Sequence, residues 1–121
     1  MKKSNSKILV KQIVESIQNK KGKKVIIADL SSIEDTITNY FIICEGHSSN
    51  QVNSIVESVR DDVKIEIGEA PLAIDGMRNA EWVAMDYADI IVHVFQPAAR
   101  NYYSLETLWA DAQLQSIPDI D

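Results

Sequence analysis

With 121 residues, of which 45% are hydrophobic and 25% charged, the chain is expected to fold as one globular domain, 1–121, without disulfides or a structural metal. Cys44 is the only cysteine, which excludes a disulfide framework and a cysteine-based zinc site within one chain. No apolar run approaches the ~20 residues of a membrane span, and the lysine-rich start lacks the long apolar region of a secretory signal, so we expect a cytoplasmic protein.

The charges are divided unevenly along the chain. Residues 1–24 carry eight lysines and one glutamate, whereas residues 25–121 carry four basic and seventeen acidic side chains. This acidic body would repel bare nucleic acid and attract a basic protein. The alternative interpretation is that the acidic balance only keeps the protein in solution.

The periodicity of apolar residues predicts three helices and a series of short strands. The predicted helices are 5–21, 47–63 and 98–115, and the predicted strands are 24–30, 39–46, 82–87 and 90–95, with a further short strand near 64–67. Gly22 is expected to end the first helix, and Ser48 with Gln51 fits a capping box at the start of the second. The order of these elements predicts an α/β protein with a mixed sheet of about five strands packed between helices.

The stretch 81–95, EWVAMDYADIIVHVF, predicts a hairpin whose two strands turn at Ala88 and Asp89. In the simplest register Trp82 lies opposite Phe95, and every second residue shares one side of the sheet. We call this side the mixed face, and it contains Trp82, Ala84, Asp86, Ile91, His93 and Phe95. The opposite side, the core face, contains Val83, Met85, Tyr87, Ile90, Val92 and Val94. A slip of one residue would exchange the two faces, and Ala-Asp is a poor pair for a tight turn.

Carboxylates close to a histidine raise the alternative of a metal or catalytic site. Asp86 and His93 would be diagonal neighbours, ~7–8 Å apart at the backbone, and they supply only two of the three or four ligands that a stable zinc site needs. We therefore expect His93 to be a structural histidine. A Ser-His-Asp triad built from Ser48 or Ser49 is disfavoured because helix capping already explains a serine there. We expect no metal and no catalytic residue.

The stretch EGHSSNQV, residues 45–52, raises a second alternative, because a glycine-serine turn that opens a helix can hold a phosphate. Nucleotidyltransferases combine such a turn with a pair of carboxylates that hold magnesium. No Asp-x-Asp pair follows here, and Glu45 would oppose an anion. We therefore expect a well-capped helix and no cofactor, and a nucleotide-binding or nucleotidyltransferase-like enzyme is the alternative function.

Four segments match one protein family in their order and spacing. They are NYFIICEGHSSNQV at 39–52, the turn at Gly76, EWVAMDYADIIVHVF at 81–95 and RNYYSLETLW at 100–109. In these segments the chain resembles the ribosomal silencing factor family, also called the Iojap-like family. The resemblance implies a fold related to nucleotidyltransferases but without their catalytic carboxylates. Members usually have Thr at the position of Glu45, often a basic residue at Asn50, Glu at Asp75 and Gly at Ala88, so the chain departs from the family pattern at these four positions.

The resemblance also implies a function. It implies a non-enzymatic factor that binds the large ribosomal subunit through a basic ribosomal protein, the fourteenth of the large-subunit series, at the face where the subunits join. Such a factor blocks joining of the small subunit and represses translation, notably when nutrients are scarce. A general interaction module with no ribosomal role is the remaining alternative.

The resemblance and the mixed face together indicate the residues that bind the partner. Trp82 is expected to be an aromatic anchor, with core packing as the alternative, and Asp86 and Asp89 are expected to pair with lysine or arginine side chains. Met85 and Tyr87 would contribute if the register is slipped.

Three further expectations concern the ends of the chain and its assembly. Tyr102 and Tyr103 are expected to pack in the core beneath the last helix. The lysine-rich start would either touch ribosomal RNA or form a solvated helix end. A homodimer away from the ribosome is also compatible with this interpretation.

Overall fold

The computed structural model describes residues 2–33, 38–104 and 113–120. The described elements, in chain order, are α1 (Lys2–Asn19), β1 (Lys23–Asp29), β2 (Tyr40–Glu45), α2 (Ser49–Glu66), β3 (Ala73–Asp75), β4 (Trp82–Asp86), β5 (Ile90–Phe95), α3 (Pro97–Tyr103) and β6 (Gln113–Ile117). The strands form a six-stranded sheet in the order β3-β4-β5-β2-β1-β6. Since β2 and β5 pair in parallel and the other neighbours are antiparallel, the predicted α/β architecture with a mixed sheet is confirmed.

The hairpin of β4 and β5 has the register that the sequence predicted. Trp82 pairs with Phe95, Ala84 with His93 and Asp86 with Ile91. The mixed face and the core face therefore contain the residues assigned to them, and the strands are not slipped. The register follows from the alternation of the core face, because a one-residue slip would expose an unbroken row of large apolar side chains.

The capping signals at the helix ends are largely confirmed. The Ser48 hydroxyl accepts a hydrogen bond from the Gln51 backbone N–H at 3.1 Å and so caps α2. The Gln51 side chain accepts from the His47 backbone N–H at 2.8 Å, one residue earlier than a capping box requires. After α1, Lys21 adopts a left-handed backbone with φ of 64°, and the Gly22 N–H returns to the Ile17 carbonyl at 2.9 Å.

Two predictions of secondary structure were wrong. The expected strand near 64–67 is the end of α2, because the helical hydrogen bonds continue to Ile67 and the nearest stop is Gly68, whose φ is +83°. The expected helix 98–115 ends at Tyr103, since Ser104 adopts a left-handed backbone with φ of 48°. Its last part, 113–115, belongs instead to β6, which pairs with β1 along the sheet edge. The residues 105–112 of the predicted helix lie outside the described residues.

The main core lies between the core face of the sheet and the two long helices. The apolar stripe of α2 is completely buried and consists of Val52, Ile55, Val56, Val59 and Val63. From α1, Leu9, Ile13 and Ile17 enter the same cluster. The two helices are also joined by a polar contact, in which the buried Ser16 hydroxyl donates to the Asp62 carboxylate at 2.9 Å. Because α1 and α2 cover one side of the sheet, the mixed face lies on the other side.

A smaller apolar cluster forms on the mixed side of the sheet. Its buried members are Ala28, Leu30, Phe41, Ile43 and Phe95. Trp82, Ile91 and Ala99 of α3 pack against this cluster but keep part of their surface exposed. The mixed side is therefore only partly covered by the described residues, and Trp82 lies at its margin.

Candidate docking surface around Trp82

Trp82 is held in place from several directions. Its ring stacks on Phe95 with centroids 5.0 Å apart and contacts Tyr103 at 4.7 Å. Its indole N–H donates a hydrogen bond to Nδ1 of His93 at 3.0 Å. The only polar atom of the side chain is thus used inside the protein, and the partly exposed remainder offers a partner an aromatic surface with no hydrogen-bonding group.

His93 is a structural histidine on the mixed face, as predicted. It is 6% exposed, and Phe41 meets its ring edge-on at a centroid distance of 4.9 Å. Burial lowers the pKa of the imidazole from 6.5 to about 4, so the ring is neutral near pH 7. Since Nδ1 accepts from Trp82, the proton of the neutral ring is on Nε2, which is buried and has no hydrogen-bond partner among the described residues.

Asp86 shapes the turn between β4 and β5. Its Oδ1 atom accepts a hydrogen bond from the Ala88 backbone N–H at 2.7 Å. Ala88 adopts a left-handed backbone with φ of 72°, a conformation that costs an alanine about 1–2 kcal/mol. The turn forms in spite of this cost because the Asp86 carboxylate and the Tyr87 N–H, which donates to the Ile90 carbonyl at 2.8 Å, close it.

Asp89 is fixed at the same end of the sheet. Its backbone carbonyl accepts from Asn39 and Tyr40 at 2.9 and 3.1 Å, and its carboxylate accepts from the Ser6 hydroxyl at 3.4 Å. Asp86 and Asp89 are both partly exposed, and among the described residues neither forms an ion pair. Both carboxylates are therefore held in position while their charges face no cation in the described part of the protein.

Met85 and Tyr87 lie on the core face. Met85 is 0% exposed and Tyr87 is 5% exposed, and burial raises the pKa of the Tyr87 phenol to about 12. The two residues were expected to contribute to partner binding only if the register of β4 and β5 were slipped, and the register is not slipped. In this register the two side chains support the strands from beneath.

Tyr102 and Tyr103 are not in the core, so that prediction was wrong. Tyr102 is 82% exposed and Tyr103 is 46% exposed, and their rings meet edge-to-face at 5.0 Å. Successive residues of a helix point about 100° apart, so a Tyr-Tyr pair does not pack both rings on one buried face. Applied to residues 100–103, this spacing indicates that one of the two tyrosines is exposed. The other is exposed as well because α3 ends at Tyr103.

The turn at the start of α2 does not assemble a second site. Glu45 was expected to oppose an anion there, but its carboxylate lies on the other side of the sheet and accepts from Arg100 Nη1 at 3.3 Å. Arg100 Nη1 also donates to the Lys24 carbonyl at 2.7 Å. In residues 2–33, 38–104 and 113–120, no three His, Cys, Asp or Glu side chains are grouped so that they could hold a metal ion.

The fold and this surface define a class of protein: a mixed α/β sheet with the two long helices α1 and α2 on one side and, on the other, the short α3 and a partly exposed aromatic and acidic surface. No helix in the part of the chain that the structure describes is long and apolar enough to cross a membrane. The sequence model of the family described as ribosomal silencing factor during starvation matches residues 3–121. The chain therefore belongs to the ribosomal silencing factor family, which confirms the prediction from the four motif segments.

Individual relatives agree with this assignment. The chain is 34% identical over 113 residues to the ribosomal silencing factor of Bacillus subtilis, covering 93% of this chain and 94% of that protein. It is 36% identical over 104 residues to that of Halalkalibacterium halodurans, covering 86% and 87% of the two chains. A crystal structure of a Chromobacterium violaceum protein superimposes with a TM-score of 0.81 at 34% identity, covering 86% of this chain and 85% of that one.

Proposed function

We propose that the protein represses translation without acting as an enzyme, by binding the large ribosomal subunit and preventing the small subunit from joining. The contact would be made with a basic ribosomal protein, the fourteenth of the large-subunit series, and would matter most when nutrients are limiting. Membership of the ribosomal silencing factor family supports binding to the ribosome. The partner and the block of subunit joining are what this proposal adds.

The observation that carries the proposal is the arrangement of Trp82, Asp86 and Asp89. Trp82 and Asp86 share the mixed face of β4, four residues and thus about 13 Å apart, and Asp89 follows in the turn. Each of the three side chains is oriented by a hydrogen bond within the protein. A side chain that is already ordered loses little conformational entropy on binding, so such a surface is suited to docking.

The charge of this surface selects the partner. The acidic body and the two unpaired aspartates favour a partner rich in lysine and arginine, and they add encounter rate and specificity more than affinity. Trp82 supplies the kind of partly buried aromatic anchor that dominates interface energies. We therefore assign partner binding to Trp82, Asp86 and Asp89, with Met85 and Tyr87 supporting the strands that carry them.

Two accessory features belong to the same proposal. The segment 20–24 holds four lysines, and the Gln51 side-chain amide fixes its start by donating to the carbonyls of Lys20 and Lys21 at 3.2 and 3.0 Å. The lysine-rich start of the chain, residues 1–24, which ends with this segment, would make a minor contact with ribosomal RNA, and the free protein would form a homodimer. Sedimentation of the free protein and the salt dependence of subunit binding test these two points.

The direct test is an assay of subunit joining. Purified large subunits are incubated with the protein, small subunits are added, and joined ribosomes are measured by light scattering. The protein is expected to reduce joining, and Asp86→Lys is expected to relieve the block. As a matched control, Glu66→Lys makes the same charge change at an exposed position of α2 and should still block joining. Undiminished joining with the wild-type protein would refute the proposal.

The nucleotidyltransferase-like alternative predicts a different result. A nucleotide with magnesium at 100 times its dissociation constant should stabilise a protein that binds it by about 2.7 kcal/mol. Our proposal predicts no such stabilisation in a thermal-shift experiment.

A further inference from the structure

A small cleft opens next to Trp82, between the start of β4 and α3. It has a volume of about 270 Å³ and is lined by Glu81, Gln96, Ala98, Ala99, Tyr102 and Tyr103. We call it the tyrosine cleft. Its volume is below the ~300–1,000 Å³ typical of small-molecule sites, so a single side chain of a partner suits it better than a cofactor. Tyr103 lines the cleft and also contacts the Trp82 ring at 4.7 Å, which makes the cleft continuous with the docking surface.

The lining of the tyrosine cleft includes backbone that is held by hydrogen bonds and two tyrosine rings. The Gln96 side-chain amide donates to the Ala80 carbonyl at 2.9 Å, and the Gln96 backbone N–H donates to the Glu81 carbonyl at 2.9 Å. These bonds hold the start of α3 against the start of β4. Tyr102 also lines the cleft, and its ring meets Tyr103 edge-to-face and is otherwise open, since the residue is 82% exposed.

Glu81 gives the cleft its charge. Its side chain is exposed, and among the described residues its carboxylate takes part in no ion pair. The small alanines of α3 leave room beside it. The N-terminal end of α3 carries a partial positive charge, but α3 has only seven residues, and the full negative charge of Glu81 outweighs this effect. The cleft therefore combines one carboxylate with the π-face of an exposed tyrosine.

We propose that the tyrosine cleft receives one lysine or arginine side chain of the basic protein on the large subunit, with the cation between the Glu81 carboxylate and the Tyr102 ring. This inference rests on the proposed function and names a further contact of the same surface. A carboxylate beside an aromatic ring is an arrangement that binds a cation by ion pairing and by cation–π attraction together. The apolar stem of the same side chain would lie on Ala98 and Ala99.

The chemistry of the cleft separates this occupant from a nucleic-acid base. A base could stack on Tyr102, but Glu81 would then repel the phosphates next to it. The two occupants respond in opposite ways to a change of charge at residue 81. Glu81→Lys weakens the binding of a cationic side chain, whereas it strengthens the binding of RNA.

The test is the dissociation constant for purified large ribosomal subunits, measured with the full chain. Glu81→Lys should weaken binding about tenfold and Glu81→Gln up to about fivefold. Tyr102→Leu should weaken binding about two- to fivefold, whereas Tyr102→Phe keeps the ring face and should bind like wild type. Glu66→Lys is the matched control for the charge change and should also bind like wild type. Because Glu81 and Tyr102 are exposed, all of these variants are expected to fold, which circular dichroism checks.

The outcomes distinguish this inference from the proposed function. If wild type binds and Glu81→Lys binds equally well or more tightly, no cation enters the cleft and the inference is overturned. Equal affinities of Tyr102→Leu and Tyr102→Phe would overturn the cation–π contact in the same way. If wild type does not bind large subunits at all, the proposed function itself is overturned and the inference with it.

Discussion

The buried His93 makes the stability of the protein depend on pH in a way that can be isolated. Its pKa is lowered by burial from 6.5 to about 4 in the folded protein, and no charged neighbour contributes to this shift. Between these two values the unfolded chain binds more protons than the folded chain. The contribution of His93 to the free energy of unfolding is therefore fully present above pH 6.5 and is lost as the pH falls toward 4.

The size of this effect follows from the two pKa values. Between about pH 7 and pH 5 the linkage relation gives a loss of about 2 kcal/mol from His93 alone. Other titrating groups, mainly carboxylates, add their own contributions, and these are the same in a variant that lacks only the imidazole. His93→Asn is such a variant, and it keeps an acceptor near the position of Nδ1 for the Trp82 indole N–H.

The assay is urea unfolding of wild type and His93→Asn at a series of pH values. The variant is expected to be less stable at neutral pH, because a smaller side chain leaves a gap between Phe41 and Trp82, but the difference from wild type should shrink by about 2 kcal/mol by about pH 5. A difference between wild type and His93→Asn that stays constant over this range would refute the reasoning.

Three further predictions concern the backbone and the core. Ala88→Gly should raise the free energy of unfolding in urea by up to about 1 kcal/mol, since glycine adopts the left-handed backbone without strain. The control Ala84→Gly within β4 should lower it by about 0.5–1 kcal/mol. A loss of stability in Ala88→Gly would contradict this explanation of the turn. Gly76→Ala should lower the melting temperature more than Gly68→Ala. Both residues have positive φ, but only the Cβ added at Gly76 collides with the Trp82 carbonyl. Equal losses would show that the collision is relieved. Cys44 is 0% exposed, and burial raises the pKa of its thiol to about 12. A thiol reagent at about pH 8 should therefore modify Cys44 only after denaturation. Rapid labelling of the native protein would contradict the position of Cys44 in the core.

The parts of the fold that the sequence predicts well are those where one face of an element is uniformly apolar. The valine and isoleucine stripe fixes α2, and the alternation of Val83, Met85 and Tyr87 fixes both the hairpin and its register. Part of the candidate site is predicted in the same way, because this alternation places Trp82, Asp86 and His93 together on the opposite face. The family pattern adds the function that is proposed for this face, which periodicity alone does not indicate.

The parts that the sequence does not predict depend on tertiary pairing. The strand β6 has mostly exposed side chains, and β3 has only three residues, so neither shows a strong apolar alternation. Both exist because a neighbouring strand, β1 or β4, offers free backbone groups at the sheet edge. Likewise, the hydrogen bond from Trp82 to His93 depends on side-chain orientation across two strands, and the exposure of Tyr102 depends on where α3 ends.

The departure from the family pattern at Ala88 also shows the limit of local rules. A residue other than glycine argued against a tight turn, but the turn is formed, with Asp86 accepting from the Ala88 N–H. The same carboxylate is assigned to partner binding in our proposal. The left-handed alanine is thus tolerated at a position where the neighbouring side chain supplies the missing stabilisation.

The central claim is that the surface around Trp82 docks on the large ribosomal subunit. The most direct measurement is the affinity of purified large subunits for wild type, Trp82→Ala, Asp86→Lys and the control Glu66→Lys, with circular dichroism to show that each is folded. We expect wild type and the control to bind alike, Trp82→Ala to bind at least about thirtyfold more weakly, and Asp86→Lys to be similarly impaired. Equal binding by all four proteins would contradict the claim and place the docking surface elsewhere on the molecule.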